Sequence, residues 1–280
     1  MDRYAVVGQP VEHSRSPYIH TYFAIQTQQQ IEYSRLAPHI DQFEECVKDF
    51  FNSGGKGLNI TLPFKERAYL LAQQLSSRAK IAHAANTLWI EEGRICADNT
   101  DGLGLIADFN YLNIPIKNKS VLILGAGGEV RGVLGPLLEH SPAEIFIANR
   151  TAKKAIELIE DFQTDSNPGN AKVHAGLITD PRLSRSFDVI INATSAAIKG
   201  EALVFPQHLF SSHSYAYDMS YRAGLTPFLE QAAMHKAAYY YDGLGMLIEQ
   251  AAESFRIWRH CRPKTDELRV LLRQQLNNNS

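Results

Sequence analysis

The segment SVLILGAGGEVRGV, residues 120–133, constrains the chain more than any other. An apolar strand runs directly into Gly125-Ala126-Gly127-Gly128, and a helical pattern follows at once. Strand, glycine-rich turn and helix in that order make the first unit of a dinucleotide fingerprint. The glycines let the backbone approach a pyrophosphate, which rests on the N–H groups and positive dipole end of the helix. Two residues fit the pattern less well. Val130 stands where the fingerprint has its third small residue, and Glu129 sets a carboxylate beside the phosphate loop. The Glu129 side chain is expected to point into solvent.

The next apolar run, EIFIANRTAKK, ends in Asn149-Arg150-Thr151, with Ala152, Lys153 and Lys154 behind. An NAD site usually carries an acid at this point for the ribose 2′-hydroxyl. Here a guanidinium, a hydroxyl and two ammonium groups suit a 2′-phosphate, so the cofactor expected is NADP.

Apolar runs alternate with helical segments along most of the chain. The first series contains YAVV (4–7), IEYSRL (31–36) and GLNIT (57–61). Helices are expected after Pro17, over 41–51 and over 64–75. NTLWIEEGRICAD (86–98) reads as a hairpin turning at Glu92-Gly93. The second series begins at SVLILG and continues through 144–150, 187–194, 214–220 and 237–243, with helices from Gly243 to about Gln275. Alternation of this kind implies parallel α/β sheets, and two series imply two domains joined near 99–109.

The 280 residues are 45% hydrophobic, which is enough for large cores. A net charge of -2 gives no reason to expect a nucleic acid or an anionic membrane as partner. No apolar run is long enough to span a bilayer, and the N-terminus lacks the pattern of a signal peptide. Cys46, Cys96 and Cys261 are scattered and form no CxxC pair. They read as reduced thiols of a cytoplasmic protein. The ten histidines show no metal-ligand spacing, so no metal is expected.

Several polar stretches stay open on their residues alone. In GQPVEHSRSPYIHT (8–21), Ser16-Pro17 can cap and start a helix. The same hydroxyls can also face a polyhydroxylated ligand. Lys65, near a helix start, is unfavourable for the helix dipole, yet most lysines are simply surface residues. Asn86, Asp98, Asn99 and Asp101 are turn and cap residues as readily as site residues.

Their order is more informative. GQPVEHSRSPYIH, GLNITLPFK, ANTL, DNTDGLG, GAGGEVRGV, NRT, NATS, DMSYRAGLTPFL and DGLGMLIEQAAESF succeed one another from Gly8 to about Trp258. In this succession the chain resembles the shikimate dehydrogenases. The resemblance implies an α/β protein of two domains. Residues 1–101 would form a substrate and catalytic domain with a mixed sheet. Residues 102–242 would form a Rossmann-type parallel-sheet NADP domain, and the helices of 243–280 would return to the first. It implies Lys65 and Asp101 as the catalytic pair. Ser14 and Ser16 would hold the substrate carboxylate. Asn59, Thr61, Asn86, Asp101, Tyr221 and Gln250 would contribute to the substrate site. Gly125, Ala126, Gly127, Gly128 and Glu129, with Asn149 to Lys154, match the cofactor loops. Met219 and Gly243 match positions lining the nicotinamide.

Thr21, Ser77 and Ala223 depart from the family's usual Asn, acid and proline without removing a catalytic group. The implied activity is NADPH-dependent reduction of 3-dehydroshikimate to shikimate by a monomer or homodimer. Two alternatives are a quinate/shikimate dehydrogenase using NAD or both cofactors, and a non-catalytic metabolite-binding protein on the same fold.

Overall fold

The computed structural model describes residues 1–165, 171–194 and 204–278. Its first sheet contains β1 (Asp2–Val7), β2 (Ile31–Leu36), β3 (Gly57–Ile60), β4 (Gln74–Leu75), β5 (Thr87–Glu91) and β6 (Arg94–Asp98). Their order is β2-β1-β3-β5-β6-β4. The β1–β2, β1–β3 and β4–β6 pairs are parallel, whereas β3–β5 and β5–β6 are antiparallel. The sheet is therefore mixed. Helices α1 (Ser16–Gln26), α2 (Phe43–Asn52), α3 (Lys65–Leu71) and α4 (Ser77–Ala82) connect its strands. The hairpin turns where expected, with Glu92 and Gly93 both at positive φ. Two such residues match the right-handed twist of the flanking strands.

Helix α5 (Asp101–Leu112) leads into the second sheet. That sheet contains β7 (Ser120–Leu124), β8 (Glu144–Asn149), β9 (Lys172–Leu177), β10 (Val189–Asn192), β11 (Tyr215–Asp218) and β12 (Tyr239–Asp242). All described pairs are parallel, in the order β12-β11-β10-β7-β8-β9. Counted from β7, this is the doubly wound dinucleotide-binding order. Helices α6 (Gly128–Glu139), α7 (Ala152–Asp165) and α8 (Pro227–Met234) belong to this half, and α9 (Leu244–Arg259) and α10 (Asp266–Asn278) follow. Side-chain alternation places Val121, Ile123, Ile145 and Ile147 in one core and Leu122, Leu124, Phe146 and Ala148 in another. A parallel sheet covered on both faces needs such continuous apolar strands.

Two sequence expectations are corrected. The helix expected over 64–75 ends at Leu71, where Ala72 turns extended. Gln74 and Leu75 then pair with Cys96 and Ala97 as an edge strand, so sheet pairing overrides the helical propensity of LAQQL. The pattern also missed β9, a half-exposed edge strand with little apolar signal.

The C-terminal helices close the other face of the first sheet. Ile19 and Phe23 of α1 share a core with Ile248, Phe255, Leu268 and Leu272. Helix α5 lies against both α6 and α9, made possible by two glycines. A Cβ on Gly102 would stand 2.5 Å from the Gly132 carbonyl oxygen, and one on Gly104 2.8 Å from the Met246 carbonyl oxygen.

Candidate active site

Strands β1 and β3 run parallel with Val7 opposite Ile60, so the segments after them emerge side by side. The first carries Ser14 and Ser16, and the second carries Thr61. The Ser16 backbone N–H donates to Ser14 Oγ at 3.3 Å, and Ser14 Oγ donates to Ser16 Oγ at 3.2 Å. Ser14 thus closes a local turn ahead of α1, while the helix's N-cap, Arg15, makes no side-chain cap. Arg35 of β2 donates to the Ser14 carbonyl at 2.7 Å and fixes the loop.

Lys65 and Asp101 are the first residues of α3 and α5. Both are buried, at 7% and 5% exposure, with Lys65 Nζ 2.7 Å from Asp101 Oδ2. The dipole of α3 works against the ammonium, while that of α5 favours the carboxylate. Burial also opposes charge on Lys65. Asp101 and Glu129 outweigh it, so the lysine pKa lies above its ordinary value.

Asn86 holds the other side of the pair. Its amide donates to Asp101 Oδ1 at 2.8 Å and Gln250 Oε1 at 3.1 Å, and its oxygen accepts the Thr100 N–H at 2.9 Å. Asn59 is committed to the scaffold. Tyr33 donates to its oxygen at 2.7 Å, and its nitrogen donates to Ser254 Oγ at 3.0 Å and to the Asn86 carbonyl. Sequence reasoning missed Tyr33, Thr100 and Ser254. Ser254 stands one helical turn beyond Gln250, so helical spacing from Gln250 was the available signal.

The glycine loop lies at the switch point between β7 and β10. Gly125 adopts φ +111, and a Cβ there would meet the Ala193 carbonyl oxygen at 2.9 Å. Gly127 and Gly128 face open space, and α6 begins without a side-chain cap. Its first N–H groups are thus available to an anion. A cavity of about 420 Å³ joins Gly125, Ala126, Gly127, Gly128 and Glu129 to Asn149, Arg150, Thr151 and Lys154, with Leu62 from the first half. Asn149 donates to the Thr151 carbonyl at 3.0 Å and shapes the turn. These donors and cations fit a phosphorylated dinucleotide. Lys153 instead reaches Glu157 at 3.5 Å on the exposed face of α7, beyond Ala152. Met219 and Gly243 meet beside the sheet, where a Gly243 Cβ would lie 2.2 Å from the Met219 carbonyl oxygen. Tyr221 is half-buried against the α1–α9 core, near Arg15 of the serine loop. Of the NATS stretch, Asn192 to Thr194 are described and Ser195 lies outside the described residues.

Glu129 is a correction. It does not point into solvent but lines the cavity, within electrostatic range of Lys65, Asp101 and Asp218. Burial raises its pKa, the two aspartates raise it further, and Lys65 acts against them. A second, more open hollow of about 470 Å³ lies between α5, β12 and α10. Its Arg269 and Arg273 are already paired with Asp108, Glu249 and Asp242.

Known proteins match the chain over nearly its whole length. Residues 6–88 match the family described as the shikimate dehydrogenase substrate binding domain, and 110–202 match shikimate / quinate 5-dehydrogenase. Residues 243–271 match the shikimate 5'-dehydrogenase C-terminal domain. The shikimate dehydrogenase (NADP(+)) of Chromobacterium violaceum is 49% identical over 276 residues, covering 98% of this chain and 99% of that protein. That of Nitrosomonas europaea is 48% identical over 280 residues, with 99% and 98% covered. Among solved structures, an Ael1 enzyme from Pseudomonas putida is 43% identical with a TM-score of 0.86, over 99% of this chain and 98% of that one. Shikimate 5-dehydrogenase from Thermus thermophilus, in complex with NADP(H) and shikimate, is 30% identical with a TM-score of 0.85, over 99% and 100%. A buried lysine–aspartate pair, a serine loop and a glycine loop at a switch point thus stand on a scaffold shared throughout, and the chain belongs to the shikimate dehydrogenase family.

Proposed function

We propose that this protein is an NADP-dependent shikimate dehydrogenase, catalysing the reversible reduction of 3-dehydroshikimate to shikimate in aromatic amino acid biosynthesis through chorismate. The observation that carries the reading is the buried Lys65–Asp101 contact of 2.7 Å. NADPH, when bound, supplies the hydride. Lys65 supplies the proton and the positive charge that the nascent alkoxide requires. Asp101 orients Lys65 and balances its charge, and Asn86 holds Asp101 through its second oxygen. In the reverse direction the same pair accepts the hydroxyl proton.

Ser14 and Ser16 hold the substrate carboxylate with neutral donors. Thr61, Tyr221 and Gln250 complete the wall around the ring, and Asn59 positions Asn86 from behind. The first turn of α6 receives the pyrophosphate. Arg150, Thr151 and Lys154 hold the adenosine phosphate, while Met219 and Gly243 flank the nicotinamide. Division at 1–101, 102–242 and 243–280, a cytoplasmic location and a monomeric or dimeric state belong to the same proposal. No described helix is long and apolar enough to cross a membrane.

The test follows absorbance of the reduced nicotinamide with shikimate or quinate and with NADP or NAD. Shikimate with NADP is expected to give the highest kcat/KM. Preference for quinate or NAD would overturn the assignment. Tight binding of shikimate without turnover would make the protein a binding module.

A further inference from the structure

Glu129 is the one acidic side chain lining the glycine-loop cavity among the described residues. It is the second residue of α6, in the turn whose N–H groups face the cavity. Helix α3 approaches this turn from across the cleft. Leu62 lines the same cavity, and Arg131 of α6 stands 3.9 Å from Glu66 of α3. Glu129 therefore faces charge from several elements. Lys65 and Glu66 come from α3, Asp101 from α5 and Asp218 from β11. Arg131 shares its helix, and Arg150 and Lys154 line the far side of the cavity.

The site thus brings two anions to one place. A phosphorylated dinucleotide adds at least two negative charges where α6 begins, beside a carboxylate that already meets Asp101 and Asp218. Lys65 is a cation that acts on Glu129, but Asp101 has engaged it at 2.7 Å. The Glu129 side chain lines the cavity and is half-buried there. Protonation relieves the repulsion without moving it. Anions close to a half-buried carboxylate favour its neutral form. A ligand that raises a group's pKa binds together with a proton.

We propose that Glu129 couples cofactor binding to proton uptake: one proton passes from the buffer to its carboxylate as the pyrophosphate settles on α6. The idea rests on the NADP reading above. It deepens that reading by naming the residue through which pH sets cofactor affinity. The pKa of Glu129, already raised by burial, places the exchange above the ordinary glutamate range. Glu129 opposes the pyrophosphate once the pH exceeds its pKa and is neutral below it.

The experiment is calorimetric titration of NADP+ into the full-length protein without substrate. At each pH it is run in two buffers of different ionisation enthalpy, so that heat reports protons exchanged. The 2′-phosphate of the ligand titrates in the same range, near pH 6. The decisive quantity is therefore the difference between wild type and Glu129→Gln, which cancels that contribution. Glu129→Ala serves as a second variant. Wild type is expected to take up more protons per NADP+ than either variant, by up to about one, at pH values above the ordinary glutamate range. Glu129→Gln is expected to bind NADP+ about tenfold more tightly at about pH 8, with the advantage shrinking as the pH falls. Equal proton counts and equal affinities across the range would overturn the coupling while leaving the NADP assignment intact. Failure of wild type and both variants to bind NADP+ would overturn the assignment and the coupling together.

Discussion

Lys65 is a buried cation held by one carboxylate and near another, an arrangement that surface packing does not require. Lys65→Ala should lower kcat by about 10²–10⁴-fold with a much smaller change in KM for shikimate. Steady-state kinetics checks this, and a rise in KM alone would make Lys65 a binding residue. Arg150 lines the cofactor cavity beside Thr151. Arg150→Ala should weaken NADP by roughly tenfold or more and leave NAD nearly unchanged, measured as Kd for each. Equal losses would assign Arg150 to the fold or the adenine.

His20 has a different part. It is stacked on Tyr33 at 4.4 Å and buried beside Phe255 and Trp258, and neither ring nitrogen meets a hydrogen-bond partner among the described residues. Burial lowers its pKa from 6.5 to about 3. The unfolded chain therefore binds a proton below pH 6.5 that the folded chain refuses, and stability falls as the pH falls. From pH 7 to pH 5 this residue should remove about 2 kcal/mol. Urea unfolding at both pH values should show the loss in wild type and a smaller one in His20→Phe.

At the scale of elements, α5 decides how the proposed catalytic pair, Lys65 and Asp101, meets. Its first residue is Asp101, and its third turn packs toward the second half. Gly104 sits where a Cβ would press on Gln250 and Met246 backbone atoms at 2.8 Å. Replacing a helical glycine with alanine normally stabilises by about 0.5–1 kcal/mol. Gly104→Ala should instead destabilise by about 1–3 kcal/mol, because α9 must move away. It should also raise KM for shikimate, since Gln250 moves with α9. Thermal melts and kinetics on one preparation test both.

The strongly patterned elements were legible in the sequence. Apolar β7, the glycine turn and the 92–93 hairpin each carry a local physical signal. The edge strands β4 and β9 carry little, because pairing with a neighbour rather than side-chain pattern makes them strands. The candidate site divides in the same way. Residues within motifs, such as Lys65 and Asn86, could be named from order. The inward turn of Glu129 depends on where α3 and β11 pass, which no local pattern records. Tyr33 and Ser254 act through Asn59, and a supporting residue of this kind is visible only once the chain is folded.

On the scale of the whole molecule, ligands should bridge the halves, because Leu62 of the first shares a cavity with the glycine loop of the second. NADP and shikimate together should raise Tm beyond the sum of their separate shifts, since each ordered half favours the other's ligand. Differential scanning with each ligand and with both checks this, using the product pair or an inert analogue where turnover interferes. Additive shifts would mean that the halves bind independently.

The hydrogen bonds that link Asn59 and Thr87 with Ser254, and Asn86 with Gln250, span 164 to 195 residues of chain. A ribosome delivers Lys65 and Asp101 long before it delivers the helix that braces them. Until α9 emerges, the nascent first half carries an uncovered apolar face at Ile19 and Phe23 and an unfinished polar pocket. The first half therefore leaves the ribosome with an apolar surface that α9 and α10 cover only when they follow.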